Sequence, residues 1–119
     1  MVKQYRDLLV WQKSMDLVVE SNRVAKLLPK TETFGLCAQI QRAAVSIPAN
    51  IAEGHGRDHL GDYLRHLSIA KGSLTELETH FLILHRLYKM EDELESAFAL
   101  AEEVGRMLSG LSKKLGKRC

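Results

Sequence analysis

At 119 residues, 45% of them hydrophobic, the chain suits one domain that buries roughly two thirds of its unfolded surface, and this composition argues against disorder. Seventeen basic residues against 15 acidic ones leave a formal charge of +2, too even a balance to announce nucleic-acid binding by itself. Two prolines and few aromatics argue against a β-sandwich. With no charged-then-apolar leader and no apolar run near the ~20 residues of a membrane span, a soluble cytoplasmic protein is expected.

The first predicted helix spans residues 7–28, with Asp7 as its N-cap. Leu8, Trp11, Met15, Val18 and Ala25 follow at heptad spacing, and Asn22 fills the gap in that seam. A polar residue in a seam more often fixes register or oligomeric choice than it binds a ligand. Leu17, Val19, Val24 and Leu27 widen the apolar band. Pro29 ends the helix, because the residue before a proline is pushed out of helical geometry. Lys30 to Thr33 form a short connection, with Thr31 or Thr33 available as the next cap.

The second helix, residues 33–54, carries two stripes. Leu36, Ile40, Ala43, Ile47 and Ile51 recur at three- and four-residue spacing and form an apolar face. Gln39, Arg42, Ser46, Asn50 and Glu53 keep the same rhythm one position away, so they run beside the apolar face and need partners where another helix packs. Pro48 removes a backbone donor in mid-helix and predicts a kink, with Ser46 bonding back to the Arg42 carbonyl. Gly54-His55-Gly56 reads as the stop.

The third helix, residues 58–88, opens on Asp58 as a cap. It holds Leu60, Tyr63, Leu67, Ala70, Leu74, Leu77, Phe81, Leu84 and Tyr88 in unbroken heptad spacing. Ser73 and Glu76 lie off this seam, Glu76 in line with Ile69 and Ile83. The fourth helix, residues 92–115, starts with an acidic capping box of Asp92 and Glu95 and repeats Leu94, Ala97, Ala101, Val104, Leu108, Leu111 and Leu115. Four amphipathic helices with short connections predict an all-α, up-down-up-down, left-handed four-helix bundle. The apolar residues left outside the seams predict a homo-oligomer.

Gln39, Arg42-Ala43-Ala44-Val45-Ser46-Ile47-Pro48 and Asn50-Ile51-Ala52-Glu53-Gly54 resemble the signature of the 23S rRNA-intervening-sequence (S23) family. Leu8-Leu9-Val10-Trp11-Gln12 and Gly72-Ser73-Leu74-Thr75-Glu76-Leu77-Glu78 extend the likeness over nearly the whole chain. The resemblance implies a four-helix bundle assembled as a homopentamer, and implies no reaction. A more distant likeness, suggested most by Glu103-Val104-Gly105-Arg106-Met107-Leu108, is to the accessory protein of diversity-generating retroelements, a pentameric bundle that binds nucleic acid and a reverse transcriptase.

No chemistry stands out against this background. The five histidines lack the Glu-x-x-His pairs of a di-iron bundle and read as surface or loop residues, so no metal is expected. Ser46 and Ser73 have no His–Asp companions at useful spacing, and no glycine-rich loop cradles a phosphate, so no catalytic or cofactor site is expected. Cys37 and Cys119 read as free thiols. Arg42 and Glu76 are expected to pair, within a subunit or across a contact, with Asn50 and Ser73 completing a polar network. Ordinary surface ion pairs are the alternative. Arg23, Lys26 and Lys30, and Lys113, Lys114, Lys117 and Arg118, form two basic clusters that a ring would repeat around its axis. On charge alone these residues read as offsets to helix dipoles and aids to solubility, and it is the resemblance that makes the expected role a non-enzymatic oligomeric scaffold or adaptor binding RNA or DNA through repeated basic patches. A purely protein-binding module is the alternative.

Overall fold

The computed structural model describes residues 3–117. Four helices make up that span: α1 (Leu9–Lys26), α2 (Leu36–His55), α3 (Leu60–Tyr88) and α4 (Glu91–Gly116). Single 3-10 turns occupy Tyr5–Asp7 and Lys30–Glu32, and no strand occurs among the described residues.

None of the predicted caps forms. Leu8, Gly35, His59 and Met90 occupy the four N-cap positions, and none makes a side-chain cap. Asp7 lies in the preceding 3-10 turn, and the Thr33 hydroxyl bonds back to the Lys30 carbonyl. Asp92 sits inside the first turn of α4 with Glu91 and Glu93, where the helix dipole favours acidic groups even without a capping bond. The α3–α4 corner is made by Lys89 in the left-handed region, at φ 52°, a conformation usually given to glycine.

The core face of α1 is not the predicted seam. Val10, Ser14, Leu17, Ser21, Val24 and Leu28 are buried, at unbroken heptad spacing, whereas Met15 is 40% exposed. Two serines occupy core positions, so the true seam reads as broken and its neighbour reads as continuous. Ser14 donates to the Trp11 carbonyl, while Ser21 keeps a buried hydroxyl without a partner among the described residues.

The other three helices bury the faces that their spacing predicts, except at the end of α3, where Tyr88 is exposed. Ile40, Ala43, Ile47 and Ile51 of α2 are at most 3% exposed. Leu67 through Leu84 of α3 and Leu94 through Leu108 of α4 supply the facing layers, with Phe81 edge-on to Phe98. α2 runs through Pro48 without interruption, and Pro48 itself is buried. The helix ends at Gly56 with φ −80°, so no left-handed glycine is needed there.

α1 packs on α2 and α4, and α3 packs on the same two, giving an elongated body of 46 × 23 × 20 Å. Residue numbers run in opposite senses along each contact. Asn22 meets Gln41, Ser46 meets Ser73, Leu74 touches Gly105, and Lys13 reaches Glu103. The starts of α1 and α3 therefore share one end of the body with the last turns of α2 and α4.

Candidate interface along the α2–α3 face

Where α2 and α3 meet, a line of polar side chains replaces apolar packing. The Ser46 and Ser73 hydroxyls lie 2.7 Å apart, and the Asn50 amide donates to the Ser46 carbonyl at 2.8 Å and to its hydroxyl at 3.1 Å. The expected back-bond from Ser46 to Arg42 is replaced by this link across to α3. The other end of the Asn50 amide faces His66 Nδ1 at 3.0 Å. A carbonyl can only accept, so the nitrogen of Asn50 must face Ser46 and its oxygen must face His66. His66 therefore carries its proton on Nδ1 when neutral, and its buried Nε2 is left without a partner among the described residues.

The predicted motif is only partly gathered into this ladder. Ser46, Asn50 and Ser73 are half-buried and joined. Glu53 is exposed, ion-paired to Arg57 at 3.1 Å and 3.8 Å from His66 Nδ1. Gln39 and Arg42 are exposed, and Arg42 makes no ion pair within the chain among the described residues. Glu76 bonds His80 at 3.2 Å instead of Arg42, so the intrachain form of that pair is corrected.

Two histidines are buried, where surface positions were expected. His66 is 4% and His80 7% exposed. Each lies one residue before a core position, Leu67 or Phe81, and His66, Ser73 and His80 follow one another at seven-residue spacing. That spacing is the signal in the sequence for a polar line beside the core. α2 ends within the expected Gly54-His55-Gly56 stop, and Gly54 also packs against α3, where an added Cβ would meet the His66 Cβ.

Apolar residues also remain on the outside. Val18, Val19, Ala44 and Val45 line a groove between α1 and α2, bridged by the Gln41–Asn22 bond, and Val19 is 70% exposed. On α3, Ile69, Leu82 and Leu87 are exposed. Val19, Val45, Ile69, Leu82 and Leu87 widen the outer faces without serving the core, whereas Ala44 belongs to it and Val18 packs against it.

The basic clusters sit at opposite ends, as an antiparallel α1–α4 pair requires. Arg23 is occupied: it pairs with Glu20 at 2.6 Å and donates to the Glu93 carbonyl at 2.7 Å. Lys26 and Lys30 are exposed beside it, as are Lys113, Lys114 and Lys117 at the other end, while Arg118 lies outside the described residues. Cys37 is half-buried, its thiol donating to the Ala25 carbonyl, and burial together with Glu32 pushes its pKa up. Cys119 also lies outside the described residues.

Among the described residues no group of three or more His, Cys, Asp or Glu side chains is placed to hold a metal ion, and no helix is long and apolar enough to cross a membrane. Among curated proteins none matches the chain. A solved structure from Bacteroides thetaiotaomicron, described as a protein with unknown function from the S23 ribosomal protein family, is 27% identical and superposes with a TM-score of 0.81, covering 88% of this chain and 99% of that one. Residues 6–110 match the family described as 23S rRNA-intervening sequence protein. With the match spanning all but the two ends of the sequence, this chain belongs to the 23S rRNA-intervening sequence protein family.

Proposed function

We propose that the protein is a non-enzymatic, cytoplasmic scaffold or adaptor: a left-handed up-down-up-down bundle assembled from identical copies, five to an assembly. The observation that carries this reading is the apolar surface left outside the core. Val19 and Val45 are 70% and 53% exposed beside the α1–α2 groove, and Leu82 and Leu87 are 55% and 61% exposed on α3. Exposed apolar residues on outer faces are what joining surfaces require. Two such faces on different helices also suit a head-to-tail contact, the kind that closes a ring. Replacing Val19 and Val45 together by aspartate tests the idea. Both side chains point to solvent, so helical content should persist while light scattering falls to the monomer mass. An unchanged mass would contradict it.

Repetition around a ring would multiply the basic ends of each copy into a belt that attracts RNA or DNA. The near-neutral charge of +2 supports a second reading, a module that binds only protein. Negligible nucleic-acid binding at low salt would leave that second reading standing.

A further inference from the structure

The two basic ends are not equivalent. At the end where α1 finishes, Arg23 is held by Glu20 and the Glu93 carbonyl, and the acidic first turn of α4, Glu91, Asp92 and Glu93, shares that end with Lys26 and Lys30, which lie on the α1–α2 side. Those carboxylates cancel much of the cluster's field. At the other end Lys113, Lys114 and Lys117 are exposed on the last turn of α4, with no ion pair among the described residues. Arg65 is exposed nearby at the start of α3, Arg57 is held by Glu53, and Asp58 in the α2–α3 turn and Asp62 in the first turn of α3 offset only part of the positive charge.

Helix-dipole compensation does not account for the excess of positive charge. A lysine at one helix C-terminus is offset against the partial negative charge of that terminus. Here the α4 and α2 C-termini sit beside the α1 and α3 N-termini, so the four dipoles largely cancel at each end. The lysines therefore project a net positive field into solvent.

Among the described residues this end also presents no fully exposed aromatic side chain on which a single strand could stack. Single strands are held by stacking on exposed aromatic side chains. The exposed aromatics, Phe34 and Tyr88, lie at the opposite end, whereas Tyr5 packs on Trp11 and Tyr63 on His55. Cations without stacking surfaces suit the phosphates of a duplex.

We propose that the α4 C-terminal end, through Lys113, Lys114 and Lys117, contacts the phosphate backbone of duplex nucleic acid without sequence preference, and that the Arg23–Lys26–Lys30 end does not. The inference rests on the nucleic-acid reading above and assigns it to one surface. In a cyclic assembly every copy presents this end at the same height, so the contacts add.

Fluorescence anisotropy with a labelled RNA duplex, and with a DNA duplex of the same sequence, tests it across a potassium chloride series. The full chain is compared with K113Q/K114Q/K117Q and with K26Q/K30Q, helical content being checked by circular dichroism. The first variant should bind both duplexes at least about tenfold more weakly and with a shallower salt dependence, because fewer counterions are released. The second should bind as the unaltered chain does. If the unaltered chain binds and K26Q/K30Q carries the loss, or neither variant does, the assignment falls and the broader reading stands. If a single strand is preferred to both duplexes, the duplex assignment falls. If the unaltered chain binds nothing at low salt, both fall.

Discussion

A Cβ placed on Gly54 would lie 2.7 Å from the Cβ of His66, closer than such atoms approach, and 3.1 Å from the Tyr63 ring. α2 and α3 therefore meet there almost backbone to backbone, and the residue carrying the ladder's imidazole is the one pressed against the glycine. Gly54→Ala should cost about 1–3 kcal/mol through overpacking, despite alanine's better helix propensity. Gly72→Ala, also on a helix but with nothing within 4 Å of the added carbon, should gain about 0.5–1 kcal/mol. Urea midpoints of the two variants should move in opposite directions; a G54A variant as stable as the parent would refute the close approach.

Asn50 is the hinge of the polar ladder, because it alone bonds both Ser46 and His66. Asn50→Ala leaves the Ser46 hydroxyl with Ser73 alone and takes the hydrogen-bond partner from Nδ1 of the buried His66, and should destabilise by about 1–3 kcal/mol. Nitrogen-15 spectra of the neutral imidazole should show the proton of His66 on Nδ1. A proton on Nε2 would mean that the amide is turned the other way.

Two glutamates should tilt the acid stability profile in opposite senses. Glu20 is held below the usual carboxylate range by the Arg23 hydrogen bond, so its contribution is present above the unfolded value and is lost as pH falls through the folded one. Glu78 is pushed above that range by burial and by Glu102, so it is the folded state that holds the extra proton and stability declines as pH rises through the carboxylate range. At neutral pH Glu20→Gln should therefore lower the melting temperature and Glu78→Gln raise it. Calorimetry at several pH values checks both signs.

Three of the four helical seams were legible because their core positions are all apolar. The α1 seam was not, since Ser14 and Ser21 occupy core positions where two small hydroxyls pack at 0% exposure, and the neighbouring line of Trp11, Met15 and Val18 looks more regular. Helix starts were misplaced by one to three residues, as Leu8, Gly35, His59 and Met90 give no side-chain cap to read. Ser46, Asn50 and Ser73 of the ladder were visible in the sequence, the first two in the α2 stripe and the third off the α3 seam. His66 was not, because a histidine next to a core leucine reads as surface until its seven-residue relation to Ser73 is set beside the α2 stripe. Gly54 lies in the last turn of α2, where the stop was expected, but its close approach to His66 was not legible: spacing shows that a glycine is present, and only packing shows what would collide with it.

Arg42 separates folding from assembly. Its side chain is exposed and makes no ion pair within the chain among the described residues, so Arg42→Ala should shift a monomer's unfolding by no more than ~0.5 kcal/mol. If Arg42 meets Glu76 of a neighbouring copy, the same change should weaken association, as should Glu76→Gln. Dilution series followed by light scattering would show it. Unaltered association in both variants would remove Arg42 and Glu76 from the joining surface.

Self-assembly through the outer faces is the claim on which the functional reading depends, and sedimentation equilibrium of the full chain at micromolar concentration tests it most directly. A mass near five times 13.4 kDa, unchanged on further dilution, is expected. A single species at 13.4 kDa would contradict it.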